Sequence, residues 1–241
     1  MQEKRLGILG GMGPKATSIF FDNIVNKTVA ESDNEHIDIV ILNNTKIPDR
    51  TQAIESGDYK ALLDELLASI KQLELLGVDN IAIPCNTTCY FIDELRKHTS
   101  VNIINIVEET VKYISNISPK KNIRVGILAT DGTVKAGTYR TALTKHNMEC
   151  VQPNIGLQDK VMDIIYNQVK KTGAGNIDDF NCIIDSMKND DDCDYIILGC
   201  TELSYFAKSH LLPDCCVNSL EVLTKVSIEK TGKKYKEPFQ F

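Results

Sequence analysis

Residues 80–91 read NIAIPCNTTCYF, and residues 195–206 read YIILGCTELSYF. In each stretch a short apolar run is followed by one small or kinked residue, a cysteine, and polar residues that lead to Tyr-Phe at the same offset. A short β-branched run bounded by turn residues predicts a buried parallel strand, and the polar cluster after it is typical of a helix N-terminus. Cys85 and Cys200 are therefore predicted to lie at the carboxyl ends of two strands, where open α/β sheets bind their ligands.

The repeat extends beyond the two cysteines. Residues 5–9 (RLGIL) are matched by residues 124–128 (RVGIL), and each run leads into a turn that contains glycine or threonine. The two copies are separated by nearly the same length of chain as the two cysteines. We interpret the chain as one duplicated α/β unit, in which two similar halves each offer a cysteine to one ligand from opposite sides.

The length, composition and charge of the chain limit the classes of protein to which it can belong. The 241 residues suffice for one large domain or two small ones, with 42% hydrophobic and 25% charged residues. The net charge of −6 argues against a nucleic-acid surface, although a cleft can still attract an anionic substrate. No apolar stretch has the length of a membrane span, and no signal-peptide pattern precedes the eight cysteines. We expect a cytoplasmic protein without a membrane or nucleic-acid partner.

Strand and helix patterns alternate along the chain. Strands are predicted at Arg5–Gly10, Ile37–Leu42, Asn80–Cys85, Asn102–Ile106, Arg124–Thr130 and Asp194–Cys200. The clearest helical spacing covers Tyr59–Leu76 and Leu157–Lys171, with a glycine after each. The alternation predicts two pseudo-symmetric Rossmann-like α/β domains with mostly parallel sheets and the active site in the cleft between them. The first domain comprises residues 1–115 plus 211–241, whose last helix packs back on it, and the second comprises residues 116–210.

The loop after the first strand contains three glycines. Gly11, Gly13 and Ala16 satisfy the G-x-G-x-x-A pattern of a dinucleotide site. Two features disfavour a dinucleotide: Pro14 lacks a backbone donor that a pyrophosphate would use, and residues 43–45 (NNT) stand where a ribose-binding acid is expected. We favour a loop whose backbone donors line a small-ligand cleft, with a purely structural tight turn as the alternative.

Cys85 and Cys200 are the sharpest candidates for chemistry. A buried free cysteine is usually a small apolar residue, but these two recur at equivalent strand ends. A helix N-terminus lowers the pKa of a thiol towards neutrality, so that it exchanges protons near pH 7. A thiolate on one side of a substrate and a thiol on the other are what a racemase or epimerase requires. A metal site at Cys85/Cys89 or Cys215-Cys216 is the weaker interpretation, because neither pair has zinc-site spacing.

Polar side chains follow both cysteines directly. Asn86, Thr87, Thr201 and Glu202 offer hydroxyl, amide and backbone groups that hold a carboxylate at paired helix N-termini. The alternative for any one of them is ordinary helix capping.

Three further residues are candidates for a second carboxylate. Arg50 lies just past the second strand and is suited to bidentate binding. Tyr166 and Lys170 are four residues apart and share one helix face. They either supply a hydroxyl and an ammonium to the site or form an ordinary surface pair.

Four motifs in this order resemble those of the aspartate racemase family, within the cofactor-independent Asp/Glu/hydantoin racemase superfamily. They are Gly-Gly-Met-Gly-Pro at 10–14, Pro-Asp-Arg-Thr at 48–51, Pro-Cys-Asn-Thr at 84–87 and Gly-Cys-Thr-Glu at 199–202. The similarity spans most of the chain. The first motif is similar to the aspartate racemase branch rather than to the cell-wall glutamate racemases.

The resemblance implies two pseudo-symmetric domains, no pyridoxal phosphate or other cofactor, no metal, and a homodimer. Cys85 and Cys200 match the two catalytic cysteines, which by resemblance act on the D- and the L-enantiomer respectively. The residues that hold the side-chain carboxylate are matched by Arg50, Tyr166 and Lys170. Positions lining the substrate are matched by Met12, Gln52, Asn86, Thr87, Thr130, Thr201 and Glu202. The family often has Ala-His where this chain has Thr88-Cys89, and we expect the chemistry to survive that change.

The resulting hypothesis is an enzyme that transfers a proton at Cα of a small acidic amino acid without a cofactor. A non-catalytic protein that binds acidic amino acids, and a nicotinamide-dependent oxidoreductase, are the alternatives outside the family. A hydantoin racemase or decarboxylase-like enzyme is the alternative within it, although Arg50 with Lys170 favours a dicarboxylate and the second cysteine disfavours a one-cysteine decarboxylase. Aspartate and glutamate are not separated, because one methylene is worth only about 1–3 kcal/mol.

Overall fold

Two four-stranded parallel sheets form the frame of the protein, seen in a computed structural model that describes residues 3–208, 210 and 212–237. The first sheet has the order β2-β1-β3-β4 and the second the order β6-β5-β7-β8. All pairs within them are parallel. The strands are β1 (Leu6–Gly10), β2 (Ile39–Asn43), β3 (Asn80–Ala82), β4 (Asn102–Ile104), β5 (Arg124–Leu128), β6 (Glu149–Val151), β7 (Tyr195–Leu198) and β8 (Cys216–Asn218). The identical strand order confirms the α/β fold class.

Six of these strands were predicted from sequence and two were not. The predicted strands are longer than the observed ones by a few residues, mostly at their carboxyl ends, where the chain already turns towards the site. β6 and β8 have three residues each, as β3 and β4 do, but polar residues flank them closely, so they do not stand in an apolar run that marks a strand.

Helices cover the sheets and are bounded as follows. They are α1 (Pro14–Lys27), α2 (Arg50–Ser56), α3 (Lys60–Leu75), α4 (Ile92–Arg96), α5 (Ile106–Ile117), α6 (Asp131–Ala136), α7 (Thr138–Lys145), α8 (Ile155–Met162), α9 (Lys170–Thr172), α10 (Ile177–Asn189), α11 (Thr201–Ala207) and α12 (Ser219–Lys230). A 3-10 helix spans Asp33–Glu35, another spans Thr87–Phe91, and a π-helix spans Asp163–Val169. Both strongly periodic stretches are helical as predicted, and the second runs through α8, the π-helix and α9.

The duplication extends to the last helix of each half. Asn105 follows β4 and caps α5 by accepting from two backbone N–H groups, and Asn218 follows β8 and caps α12 in the same way. α12 packs against α1 of the first half, α5 packs against α7 of the second, and α5 and α12 pack against each other. Each half therefore covers the other with its final helix.

The C-terminal segment is shared between the two halves. Its helix α12 contacts α1 and β3 of the first half. β8 of the same segment, however, pairs with β7 in the second sheet. The division into residues 1–115 plus 211–241 and residues 116–210 stays a prediction, and residue 211 itself lies outside the described part of the chain.

One of the two clusters of buried apolar side chains among the described residues joins the halves, and the other lies within the second half. β1 is buried along its whole length. The cluster of buried apolar side chains around it also contains Ile127 and Ile197 of the second sheet. This cluster joins the four central strands, β1, β3, β5 and β7. The loops at the carboxyl ends of these strands therefore meet at one place.

Candidate active site

Cys85 lies three residues beyond the end of β3. Its backbone N–H donates to the Ile83 carbonyl at 2.7 Å across Pro84. The 3-10 helix Thr87–Phe91 begins directly afterwards. Cys89 lies on the back of this helix, where its thiol donates to the Cys85 carbonyl at 3.9 Å. Position 89, one of the two at which the chain departs from the family pattern, therefore packs against the backbone of Cys85.

Cys200 occupies the matching place after β7. Gly199 separates it from the strand and donates its N–H to the Leu128 carbonyl at 2.8 Å. A Cβ at this glycine would come within 3.1 Å of the Tyr139 ring and 3.2 Å of Ala129, which explains the small residue predicted here. Cys200 then precedes α11 as its N-cap residue. Both cysteines are thus at strand ends, as the sequence predicts.

Glu202 controls the charge around Cys200. The Cys200 thiol donates to Glu202 Oε2 at 2.9 Å, and the Thr201 hydroxyl donates to the same oxygen at 3.3 Å. Burial, together with the charge of this carboxylate, raises the pKa of the Cys200 thiol well above its ordinary value. The expectation that a helix N-terminus lowers the pKa of Cys200 is therefore wrong, because desolvation and a neighbouring anion outweigh the dipole of a two-turn helix.

Arg50 is half-buried at the start of α2 on the other side of the site, and its Nε atom is fully buried. Its two Nη atoms donate to the carbonyls of Pro48 and Met12 at 3.1 and 3.2 Å. Burial lowers the pKa of Arg50, but the charges of Cys85 and Asp49 outweigh it and raise the pKa overall. Among the described residues its Nε finds no hydrogen-bond partner. A buried donor without a partner is costly, so this atom is suited to receive a ligand oxygen.

Tyr166 and Lys170 stand on one helix face as predicted, but on a π-helical turn. The Lys170 ammonium lies 4.0 Å from the centre of the Tyr166 ring and 3.8 Å from Glu202 Oε1. Burial lowers the pKa of Lys170, but the charges of Glu202, Tyr166 and Cys200 outweigh burial. The pKa of Lys170 is therefore raised overall. The wider π turn (i to i+5), which is frequent at functional sites, was not anticipated from the sequence.

A hydrogen-bond network that the sequence did not reveal holds Asn86. The Tyr139 hydroxyl donates to Asn86 Oδ1 at 2.6 Å, and Asn86 Nδ2 donates to Ser219 Oγ at 3.2 Å. Ser219 in turn donates to the Leu198 carbonyl at 2.7 Å, next to the Cys200 loop. One chain of bonds thus links the residues beside both cysteines. No motif marks Tyr139 or Ser219, and Ser219 follows a strand that was not predicted.

Thr87 is fixed by hydroxyl groups of the second half. Its Oγ1 lies 2.8 Å from Thr133 Oγ1 and 3.3 Å from Thr130 Oγ1. Thr130 also caps α6 by accepting from the Thr133 N–H. Thr130 therefore both caps a helix and lies in the site, so the two roles do not exclude each other.

One small cavity gathers nearly all of the predicted site residues. Its wall includes the predicted residues Met12, Arg50, Cys85, Asn86, Thr87, Thr130, Tyr166, Lys170, Cys200, Thr201 and Glu202, and also Asp49, Thr51 and Gly199. Gln52 is exposed and is not part of this wall. The cavity encloses about 20 Å³, which is room for about one water molecule. Side chains must move before an amino acid can enter.

The glycine loop after β1 makes a turn within the chain and is not arranged as a phosphate-binding site. Gly11 has a φ of 97°, and a Cβ there would lie 2.2 Å from the Asn44 carbonyl oxygen. The Gly11 N–H donates to Thr17 Oγ1 at 3.0 Å, and the Thr17 hydroxyl donates to the Gly13 carbonyl at 3.1 Å. The donor that a pyrophosphate would need at Gly11 is thus already used. The loop makes a structural turn, and its Met12 lines the cavity; that its backbone donors face a ligand stays a prediction.

Neither a metal-binding cluster nor a membrane-spanning helix is found within residues 3–208, 210 and 212–237. No group of three or more His, Cys, Asp or Glu side chains is arranged to hold a metal ion. No helix combines the length and the apolar character that crossing a membrane requires.

Comparisons with known proteins agree with these features. The sequence model of the family described as Asp/Glu/Hydantoin racemase matches residues 9–225. The broad specificity amino-acid racemase RacX of Bacillus subtilis is 31% identical over 150 residues, which cover 61% of this chain and 63% of that protein. The chain thus spans slightly less than two thirds of this curated relative.

Solved structures extend the similarity to the whole chain. An aspartate racemase of Picrophilus torridus superposes with a TM-score of 0.80 at 31% identity, covering 98% of this chain and 97% of that one. A glutamate racemase of Francisella tularensis, solved with D-glutamate, gives a TM-score of 0.64 at 18% identity, covering 95% of this chain and 81% of that one. At that identity the second likeness concerns the fold alone.

Proposed function

The chain belongs to the Asp/Glu/hydantoin racemase family, and from this premise we propose that it interconverts L- and D-aspartate without a cofactor, with glutamate as a second substrate. The observation that carries the proposal is the pair of cysteines, which come from matching strand ends of the two halves and line one cavity. Similarity to an aspartate racemase over nearly the whole chain supports aspartate, and the broad-specificity relative supports a wider range.

The reaction is a proton transfer between two bases. A cysteine thiolate takes the Cα proton, so that the Cα–H bond breaks, an S–H bond forms, and the electron pair spreads into the α-carboxylate as an ene-diolate. The second cysteine donates its thiol proton to the opposite face of the planar Cα. The product has inverted configuration, and the two cysteines have exchanged protonation states.

The resting enzyme has unequal cysteines in this scheme. Cys200 keeps its proton because its thiol donates to Glu202 and its pKa is raised by burial and by that carboxylate. Cys85 is then the base that acts first. Following the family resemblance, the resting form accepts the D-enantiomer, and the form with exchanged protons accepts the L-enantiomer.

Positive groups on two sides hold the substrate. Arg50 Nε and the Lys170 ammonium bind the side-chain carboxylate, assisted by the Tyr166 hydroxyl. Donors beside Asn86 and Thr201 bind the α-carboxylate and stabilise the negative charge that develops on it. Both cysteines are buried, so a substrate held between them is shielded from bulk water, which strengthens these interactions.

Assembly and location complete the proposal. The family resemblance supports a homodimer, which size-exclusion chromatography with light scattering would identify. Eight cysteines that are all free support a reducing compartment such as the cytoplasm.

The decisive experiment is proton NMR of L-aspartate, and then of L-glutamate, with the purified protein in D₂O under reducing conditions. Loss of the Cα proton signal with a matching fall in optical rotation, without added cofactor, is the expected result, and it ranks the two substrates. Binding of aspartate with retention of the Cα proton and of the rotation would contradict the proposal and indicate a protein that only binds acidic amino acids.

A further inference from the structure

A second cavity lies directly beside the inner one. It encloses about 310 Å³, against about 20 Å³ for the inner cavity. Lys170, Thr201 and Glu202 form part of the wall of both. The outer cavity has room for a small diacid, and it shares these side chains with the wall around the two cysteines.

The outer cavity has one cation that the inner site does not use. Lys15, in the first turn of α1, is on its wall, and Lys15 Nζ lies 5.6 Å from the centre of the Tyr205 ring. Within the described part of the chain, no carboxylate is within ion-pair distance of Lys15. The other two charged side chains on the wall, Lys170 and Glu202, pair with each other at 3.8 Å. The charges of this pair cancel, so the cavity has a net positive charge from Lys15.

We propose that the outer cavity is an entry site for the acidic substrate, in which Lys15 binds one carboxylate before the substrate reaches the cysteines. The identity of the ligand as an acidic amino acid rests on the proposed function. Such a ligand carries a net charge of −1 at neutral pH, which complements the excess charge from Lys15. Movement of Lys170 away from Glu202 then opens the shared wall, and Lys170 takes over the carboxylate.

The ordinary alternative is that Lys15 is a solvated surface lysine. Its side chain is exposed, and an isolated exposed charge contributes little. Two observations favour the entry site: the ammonium is positioned by an aromatic ring, and the cavity that it faces shares three residues with the inner site.

The test compares Lys15→Met and Lys15→Glu with Lys121→Met, which changes an exposed lysine outside both cavities. Calorimetry measures the Kd of succinate, a diacid that cannot be racemised, at low and high salt. We expect the Kd to rise roughly threefold in Lys15→Met and about tenfold in Lys15→Glu, and to remain unchanged in Lys121→Met. The salt dependence of the Kd should be weaker in both Lys15 variants. The KM for L-aspartate should follow the Kd, with kcat changed less than about twofold.

The possible outcomes separate this inference from the proposed function. Equal Kd values for all four proteins, or a wild type that binds neither succinate nor L-aspartate, would overturn the entry site. Succinate binding that depends on Lys15, in a protein that leaves aspartate unracemised, would overturn only the racemase proposal. Lys15→Met removes the charge and shortens the unbranched side chain by only one atom, so a folding defect confined to Lys15→Glu would still leave the comparison valid.

Discussion

The two cysteine loops share a backbone plan and differ in charge. Each cysteine follows the third strand of its half and precedes a helical turn. Cys85 has the Arg50 guanidinium as its charged neighbour, whereas the Cys200 thiol donates to the Glu202 carboxylate. Duplication of the fold thus placed two identical groups symmetrically, and the residues around them made the groups chemically unequal.

The support behind each loop differs as well. Asn86, next to Cys85, is held by Tyr139 and Ser219, which both belong to later parts of the chain. Ser219 directly follows the capping Asn218, and the residue in the equivalent place after Asn105 is Ile106. An isoleucine side chain cannot offer a hydrogen bond. Among the described residues the second loop consequently has no equivalent bond, and Thr201 bonds instead to Glu202 of the same helix.

The largest effect is expected when each of the two thiols is removed in turn. Cys85→Ala and Cys200→Ala should each lower the rate of interconversion by roughly 10³-fold or more, because each enantiomer needs one cysteine as base and the other as acid. Circular dichroism before and after addition of L- or D-aspartate measures the rate. Cys182→Ala, at an exposed cysteine outside both cavities, is the matched control and should keep the wild-type rate. Near wild-type racemisation by either active-site variant would rule out the two-base scheme.

A smaller effect is expected when only the charge beside Cys200 is removed. Glu202→Gln retains the shape of the side chain but not its negative charge. Since that charge contributes to the raised pKa of Cys200, the thiol should ionise at lower pH in the variant, and kcat should fall by about tenfold. The pH dependence of iodoacetamide labelling of Cys200, located by mass spectrometry, measures the change.

The control for this variant is Glu55→Gln, at an exposed carboxylate outside the inner cavity. Labelling of Cys200 should follow the wild-type pH profile there. An unchanged profile in Glu202→Gln as well would mean that burial alone determines the protonation of Cys200.

The smallest effect concerns the support behind Cys85. Tyr139→Phe removes the hydroxyl that donates to Asn86 Oδ1. This leaves a buried acceptor unpaired, so the free energy of unfolding should fall by about 1–3 kcal/mol in urea denaturation. Tyr90→Phe, at a partly exposed tyrosine, should change it by less than about 0.5 kcal/mol. Equal stability of the two variants would show that the Asn86 bond contributes nothing measurable.

Features that repeat locally were predictable from sequence. The apolar runs before Cys85 and Cys200 were long enough to mark strands, and their similarity gave the duplication and the strand ends. The inner cavity accordingly contains every predicted site residue except Gln52, which lies one helical position away from the wall on an exposed face of α2.

Features that depend on long-range contacts were not predictable. Tyr139 and Ser219 reach Asn86 only after both halves have packed, and neither has a sequence signal of its own. The π-helical turn that carries Tyr166 has the same apolar pattern as an α-helix. The raised pKa of Cys200 was missed because the sequence shows a helix start but not how deeply the thiol is buried or where the Glu202 side chain points.

Each half covers the other with its final helix, and this arrangement affects how the protein unfolds. α5 packs on α7 of the other half, α12 packs on α1, and α12 is buried over most of its length. Neither half can lose its structure without exposing apolar surface on the other. Despite its duplicated plan, the molecule should therefore melt in one cooperative transition, and fragments divided at the midpoint should fold only when mixed. The symmetry that places two bases around one carbon atom thus also makes the two halves a single thermodynamic unit.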